Sequence, residues 1–156
     1  TSTGDEAGIV TSGTVNGKAY VLGDDSLQGS PLQWAKAAIT AYHRYGANLI
    51  VAEANNGGEM VEQTIKTVDP GVPVKLVHAS RGKQTRAEPI AAIYEQGNGH
   101  HVGVFPALED EMCMWVPGDP SPNRMDALVW SLTELMLPDE DPTRVALPII
   151  MGVRAR

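Results

Sequence analysis

Leu49-Ile50-Val51-Ala52-Glu53 is a short apolar run that ends in an acid, and the polar, flexible stretch Ala54-Asn55-Asn56-Gly57-Gly58 follows it. A continuous apolar run of this length is typical of a strand that is covered on both faces. In open α/β folds, ligands bind at the carboxyl ends of such strands. The run therefore predicts a buried strand that places Glu53 at the edge of a sheet, where a ligand can approach.

The remaining sequence predicts a hairpin first and alternating helices and strands afterwards. Two β-rich runs flank Asn16-Gly17, a dipeptide that is typical of two-residue hairpin turns. Hydrophobic periodicity and the positions of Gly and Pro predict the elements that follow. We expect helices over 31–46, 58–68, 84–96, 107–113 and 123–137, and further strands over 49–52, 72–79 and 101–104. This order indicates an α/β fold, a mixed sheet with helices on both sides.

A second acid, Asp126, lies in the first turn of the last predicted helix, beside a long apolar stripe. Two carboxylates that converge from a strand end and a helix start suit a hard divalent cation, which prefers oxygen ligands. Each acid also has an ordinary interpretation. Glu53 fits a solvated loop acid, and Asp126 fits an acid that favours the positive end of a helix dipole. The residues alone leave both interpretations open.

Three cations, Arg81, Lys83 and Arg86, follow the predicted strand 72–79 and surround the start of the next helix. Side chains and free backbone N–H groups in such a place can bind phosphates. The alternative is a solvated basic loop. The segment therefore indicates a candidate phosphate-binding surface, but it matches no established phosphate-binding motif.

Composition limits the possible functions. The 156 residues suit one domain, and the formal net charge of -7 argues against a protein that binds nucleic acid tightly by itself. No apolar run approaches the ~20 residues that a membrane-spanning helix needs. The single cysteine, Cys113, has no internal disulfide partner, and we expect it to be buried between Met112 and Met114.

Several segments taken together resemble the carboxyl-terminal nuclease domain of tailed-phage large terminase subunits. The resemblance covers roughly residues 5–137, with the segments in the right order, and no one of them would be specific alone. The segments that carry it are 51–58, 81–90, 100–103, 108–112 and 123–130.

This resemblance implies a ribonuclease H-like fold and an endonuclease that cuts concatemeric double-stranded DNA by two-metal phosphodiester hydrolysis. The family uses three acids to hold two Mg²⁺ or Mn²⁺ ions, and the resemblance assigns the second acid to Glu53 and the third to Asp126. The basic side chains Arg81, Lys83 and Arg86 are expected to contact the DNA backbone. The first acid of the family lies on an opening strand that is missing from this sequence, so we expect the natural polypeptide to continue upstream.

The resemblance also implies partners and a location. We expect a nuclease domain over residues 1–137 and an extended carboxyl-terminal tail over 138–156, with an ATPase motor domain upstream. The implied partners are double-stranded DNA, the portal and the small terminase subunit, with no membrane, in the cytoplasm of the infected bacterial host. Two alternatives remain: another ribonuclease H-like nuclease of the resolvase or transposase type, and a non-catalytic module that docks the packaging motor.

Overall fold

The computed structural model describes residues 6–54, 58–120, 122–137 and 149–153. Within these residues the chain forms short strands and five helices around a central sheet. The strands are β1 (Glu6–Ala7), β2 (Val10–Val15), β3 (Lys18–Asp24), β4 (Leu27–Gln28), β5 (Ile50–Glu53), β6 (Val74–Val77), β7 (Gly99–His101) and β8 (Ile149–Val153). The helices are α1 (Pro31–Arg44), α2 (Gly58–Val68), α3 (Lys83–Glu95), α4 (Pro106–Met114) and α5 (Asn123–Met136).

The central sheet is mixed and has the strand order β6-β5-β8-β2-β3-β7. β5 is parallel to both β6 and β8, and β3 is parallel to β7, whereas β2 runs antiparallel to its neighbours β8 and β3. The carboxyl ends of β3, β5, β6, β7 and β8 therefore meet at one edge of the sheet, together with the amino end of β2. We call this edge the carboxyl edge. β1 and β4 form a separate two-stranded antiparallel sheet.

The strand between β5 and β2 comes from the carboxyl-terminal end of the sequence. β8 pairs Ile150 with Ile50 on one side and with Thr11 on the other. Without a strand in this position, two inner strands would each leave a row of unpaired backbone groups. The resemblance implied that an opening strand is missing from this sequence. It did not imply that residues 149–153 lie between β5 and β2.

The predicted extended tail over 138–156 is described only in part. Residues 149–153 form β8, while 138–148 and 154–156 lie outside the described residues. The boundary between a domain over 1–137 and a tail stays a prediction.

Local sequence explains the first elements. Asn16 and Gly17 have φ angles of 52° and 75°, the left-handed pair that a tight hairpin between β2 and β3 requires. Ser30 caps α1: its side chain accepts from the Gln33 backbone N–H, and the Gln33 side chain accepts from the Ser30 N–H. Pro31 occupies the first helical position, where no backbone donor is needed. The predicted hairpin and first helix are confirmed.

The buried side chains form two hydrophobic cores, one for each face of the sheet. One core joins α1 and α2 to β5 through residues such as Trp34, Ile50 and Ile65. The other joins α3, α4 and α5 to β2 and β3 through residues such as Val21, Leu108 and Leu128. Helices therefore cover both faces, as the alternating order of elements predicted.

α5 is buried on more than one side. All residues from Met125 to Leu132 are buried, a run of more than two helical turns. α5 lies on the sheet and is covered by α3 and α4, so its flanks are also shielded from solvent. The sequence predicted an apolar stripe on this helix but not that Asp126 and Ser131 are buried with it.

Two local predictions need correction. The short strand expected at 101–104 is β7, Gly99–His101, because it pairs with β3 from Gly99 onward. Cys113 is exposed rather than buried. α4 presents Leu108 and Met112 to the core, and Cys113 follows on a different side of that helix.

Gly8 is required where the chain passes the start of α5. A Cβ at this position would collide with the backbone carbonyl of Asn123. We expect Gly8→Ala to reduce the free energy of unfolding by about 1–3 kcal/mol, because the helix start or the strand entry has to shift. Urea unfolding followed by circular dichroism measures the change.

Gly82→Ala is the matched control, because a Cβ there meets no atom within 4 Å in the part of the chain that the structure describes. We expect its unfolding midpoint to stay close to that of the wild type. Equal destabilisation by the two substitutions would show that the close approach at Gly8 is not the cause.

Candidate active site

The strand ends and helix starts at the carboxyl edge of the sheet carry the residues that the sequence singled out. Glu53 is the last residue of β5 and lies opposite Val77, the last residue of β6. α3 begins at Lys83, shortly after β6 ends. α5 begins at Asn123, whose carbonyl lies against Gly8, just before the amino end of β2. The strand ends and the two helix starts therefore face the same region.

Glu53 is a buried acid, with 7% of its surface exposed. It follows Ile50, Val51 and Ala52, all fully buried, so the strand holds its backbone firmly. The backbone N–H of Ala54 donates to the Val77 carbonyl at 2.8 Å and extends the pairing of β5 with β6 past Glu53. A solvated loop acid would not have this degree of burial.

Asp126 is also buried, with 4% of its surface exposed. Its backbone N–H donates to the Pro122 carbonyl at 3.0 Å, as expected for the first turn of α5. A helix-start acid that acts only through the helix dipole is usually exposed. The burial of Asp126 instead requires that a cation or hydrogen-bond donors compensate its charge.

Lys83 supplies such a cation. Its Nζ lies 3.2 Å from Oδ2 of Asp126, which joins the first residue of α3 to the first turn of α5. One turn further along each helix, the Arg86 guanidinium lies over the Trp130 ring, with its carbon 4.5 Å from the ring centroid. A guanidinium at this distance is attracted to the face of the indole. These two contacts fix α3 against α5 beside the carboxyl edge.

The start of α5 is anchored by a network around Arg124. Its Nε donates to Oδ2 of Asp24 at 3.1 Å, and its Nη1 donates to Oε1 of Glu6 at 2.6 Å. Nη1 also lies 3.4 Å from Oε1 of Glu111 on α4. Burial disfavours the charged form of the Arg124 guanidinium. The carboxylates of Glu6 and Asp24 together outweigh this effect, so the pKa of Arg124 is raised. The network therefore joins β1, β3 and α4 to the turn that carries Asp126.

Glu111 completes the amino-terminal cap of α5. Pro122 at the cap position offers no side-chain acceptor, so the first N–H groups of the helix need partners from elsewhere. The Met125 N–H donates to Oε2 of Glu111 at 3.0 Å. Burial raises the pKa of the Glu111 carboxyl, while the bonds from Met125 and Arg124 favour its ionised form. A side chain of α4 thus takes over the role of the missing local cap.

The predicted DNA-contacting cations occupy different environments. Arg81 is exposed in the loop between β6 and α3. Lys83 and Arg86 are half-buried, and the Nε and Nη1 atoms of Arg86 are buried without a hydrogen-bond partner among the described residues. Arg81 is therefore the most accessible of the three to a phosphate. The assignment of all three to DNA stays a prediction.

The donors at this edge fit a divalent cation. Carboxylate oxygens are the preferred ligands of Mg²⁺ and Mn²⁺. The ammonium group at Asp126 shows that the first turn of α5 accommodates a positive charge. In the described part of the chain, no group of three or more His, Cys, Asp or Glu side chains is arranged to hold a metal ion. The assignment of Glu53 and Asp126 as metal ligands stays a prediction.

Sequence reasoning missed the residues that support the site. Arg124 is separated from Glu6 by 118 positions and from Asp24 by 100, so no local pattern could indicate these pairs. The Arg86–Trp130 contact was missed for the same reason. The missing cap at Pro122 is the one sequence feature that points to a partner such as Glu111.

Comparison with known families gives a match that covers most of the chain. Residues 1–137 match the family model described as a terminase RNaseH-like domain. Comparison with curated proteins and comparison with solved structures give no match. The family match and the mixed sheet with flanking helices confirm the predicted ribonuclease H-like α/β fold and the predicted terminase nuclease family.

The Arg124 network gives a stability prediction. Arg124→Ala leaves three carboxylates close together without their shared cation, and we expect it to reduce the free energy of unfolding by about 1–3 kcal/mol. Urea unfolding measures this loss.

Arg44→Ala is the control, because Arg44 pairs with Asp25 on the surface, where an ion pair contributes little. The unfolding midpoint of this variant should stay near the wild-type value. A loss as large as that of Arg124→Ala would contradict a specific role for the Arg124 network.

Proposed function

This chain belongs to the family of terminase RNase H-like domains, and from that premise we propose that it cleaves double-stranded DNA during genome packaging. The family supports a nuclease-type terminase domain. The observation that carries the proposal is the burial of two carboxylates, Glu53 and Asp126, at the carboxyl edge of the sheet. Burial of acids is costly unless a cation compensates them, and it is common at sites that bind metals or perform chemistry.

Glu53 and Asp126 would hold Mg²⁺ or Mn²⁺ as hard oxygen ligands. When bound, such ions activate water for attack on a phosphodiester and neutralise the charge of the leaving oxygen. The chain itself holds these two acids in position. β5 fixes Glu53 by its pairing with β6, and the Arg124 network fixes the turn that carries Asp126.

The basic residues would place the DNA backbone at this edge. Arg81 and Lys83 follow β6, and Arg86 lies one turn further along α3. Because the whole chain has a net charge of -7, these local cations alone do not give strong binding. We propose that an upstream ATPase domain, with the portal and the small terminase subunit, holds the DNA in the cytoplasm of the infected bacterial host. None of the described helices is long and apolar enough to cross a membrane.

A docking module for the packaging motor is the second candidate. The observation that favours it is the absence, within the described ranges, of a group of three or more potential metal ligands. The resolvase or transposase alternative is less favoured, because the family match is to terminases.

The nuclease proposal predicts metal-dependent nicking of supercoiled plasmid. We expect the chain to nick in Mn²⁺ and not in EDTA, and Glu53→Gln or Asp126→Asn to lower the rate by about 100-fold or more, since each removes a charged metal ligand. Gel assays of nicked product against time measure the rates.

Glu95→Gln is the control, because Glu95 is exposed at the far end of α3 from Lys83. Its rate should equal that of the wild type. Mn²⁺-dependent nicking that survives Glu53→Gln would remove Glu53 from the mechanism, and no nicking by the wild type would favour the docking module.

Backbone contact by Arg81 predicts a second measurement. Arg81→Ala should weaken DNA binding in Ca²⁺ by a similar factor for unrelated sequences, and should reduce the slope of log K against log salt by about 1. Fluorescence anisotropy with two DNA duplexes of different sequence measures both.

Lys18→Ala is the matched control for Arg81→Ala, because Lys18 is exposed at the start of β3, at the opposite edge of the sheet. We expect this variant to bind as the wild type does. An effect of Arg81→Ala on one duplex only would indicate base recognition and contradict backbone contact.

A further inference from the structure

We propose that Lys83 is a switch between the metal site and DNA: its ammonium holds Asp126 while no metal is bound, and a divalent ion displaces it toward a DNA phosphate. This inference rests on the proposed nuclease function and goes beyond it. It assigns one side chain two positions and makes the binding of metal and the binding of DNA depend on each other.

The first step is the ion pair itself. Lys83 Nζ lies 3.2 Å from Oδ2 of Asp126, and 5% of the Asp126 side chain is exposed. A divalent ion bound to the same carboxylate would stand within a few ångströms of the ammonium. Two positive charges at that separation repel each other strongly in a partly buried site. Metal binding therefore has to move the ammonium.

The second step is that Lys83 can move while its helix stays in place. α3 is held by the Arg86–Trp130 contact and by the buried side chains of Ile90 and Ile93. Lys83 is the first residue of this helix, and 32% of its side chain is exposed. A lysine side chain is long and flexible, so its ammonium can turn outward without movement of the backbone.

The third step concerns the partner of the released ammonium, which would be a DNA phosphate. Exposed Arg81 lies two residues before Lys83, in the loop that opens onto the carboxyl edge. A DNA backbone that contacts Arg81 would present phosphates to the same surface. The cation that leaves Asp126 would then gain a phosphate partner, so the charge of Lys83 is compensated in both states.

The consequence is a reciprocal coupling. Metal that frees Lys83 strengthens DNA binding, and DNA that attracts Lys83 strengthens metal binding by the same factor, as thermodynamic linkage requires. The site would thus load metal more readily when DNA is present.

The structure offers a matched lysine–carboxylate pair as a control. Lys75 Nζ lies 2.9 Å from Oε1 of Glu134, with side-chain exposures of 28% and 8%, close to those of Lys83 and Asp126. Glu134 lies about 12 Å along α5 from Asp126, eight residues at 1.5 Å each. Lys75→Gln removes the same chemistry at a distance from the proposed metal.

The first experiment measures Mn²⁺ binding without DNA, by titration calorimetry of the whole chain. We expect Lys83→Gln to bind Mn²⁺ about three- to tenfold more tightly than the wild type, because the competing cation is gone. Lys75→Gln should leave the affinity unchanged. Equal or weaker binding by Lys83→Gln would overturn the competition.

The second experiment measures DNA binding in Ca²⁺ and in EDTA by anisotropy. Lys83→Gln should weaken binding about threefold or more in Ca²⁺ and have no effect in EDTA, where Asp126 still holds the wild-type lysine. The same loss in both conditions would show a permanent DNA contact. No loss in Ca²⁺ would show that Lys83 does not contact DNA. Either result would overturn the switch.

The proposed nuclease function and the switch can be tested independently of each other. If the wild type binds no Mn²⁺, or if Glu53→Gln binds it as well as the wild type does, the metal site itself is wrong. If binding depends on Glu53 but Lys83→Gln behaves like Lys75→Gln, the nuclease proposal stands and the switch is rejected.

Discussion

The constraint on which this structure depends is the burial of α5. All residues from Met125 to Leu132 are buried between the sheet and the helices α3 and α4. A helix buried in this way brings its polar residues into the interior along with its apolar ones, and each needs compensation. Asp126 meets Lys83, and Arg124 at the edge of the same turn meets acids from β1, β3 and α4. Packing of the core thereby fixes the site.

Different parts of the molecule hold the two candidate acids in position. Backbone pairing of β5 with β6 holds Glu53, whereas ion pairs and the Glu111 cap hold the turn of Asp126. Because the two acids come from separate elements, a change in the docking of α5 would alter their separation without altering either residue. This makes the Arg124 network part of the site, although it has no place in the chemistry.

The fold was predictable from the sequence wherever the determinants are local. Asn16-Gly17 indicated the hairpin, Ser30-Pro31 the start of α1, and the apolar run before Glu53 the buried strand β5. The position of β8 was not predictable, because its partners are about 100 or more residues away in sequence and its register depends on their free edges. The candidate acids were found from their places at element ends. Their burial, the Lys83–Asp126 pair and the Arg124 network depend on how helices pack, which no spacing in the sequence records.

The central claim is that Glu53 and Asp126 share a divalent cation at the carboxyl edge. Anomalous diffraction from crystals of the chain grown with Mn²⁺ tests it most directly. We predict a manganese peak within bonding distance of a carboxylate oxygen of each residue, about 2.0–2.3 Å, with Lys83 Nζ moved away from Asp126. A fully occupied peak elsewhere, or none at saturating Mn²⁺ with Lys83 still on Asp126, would contradict the account.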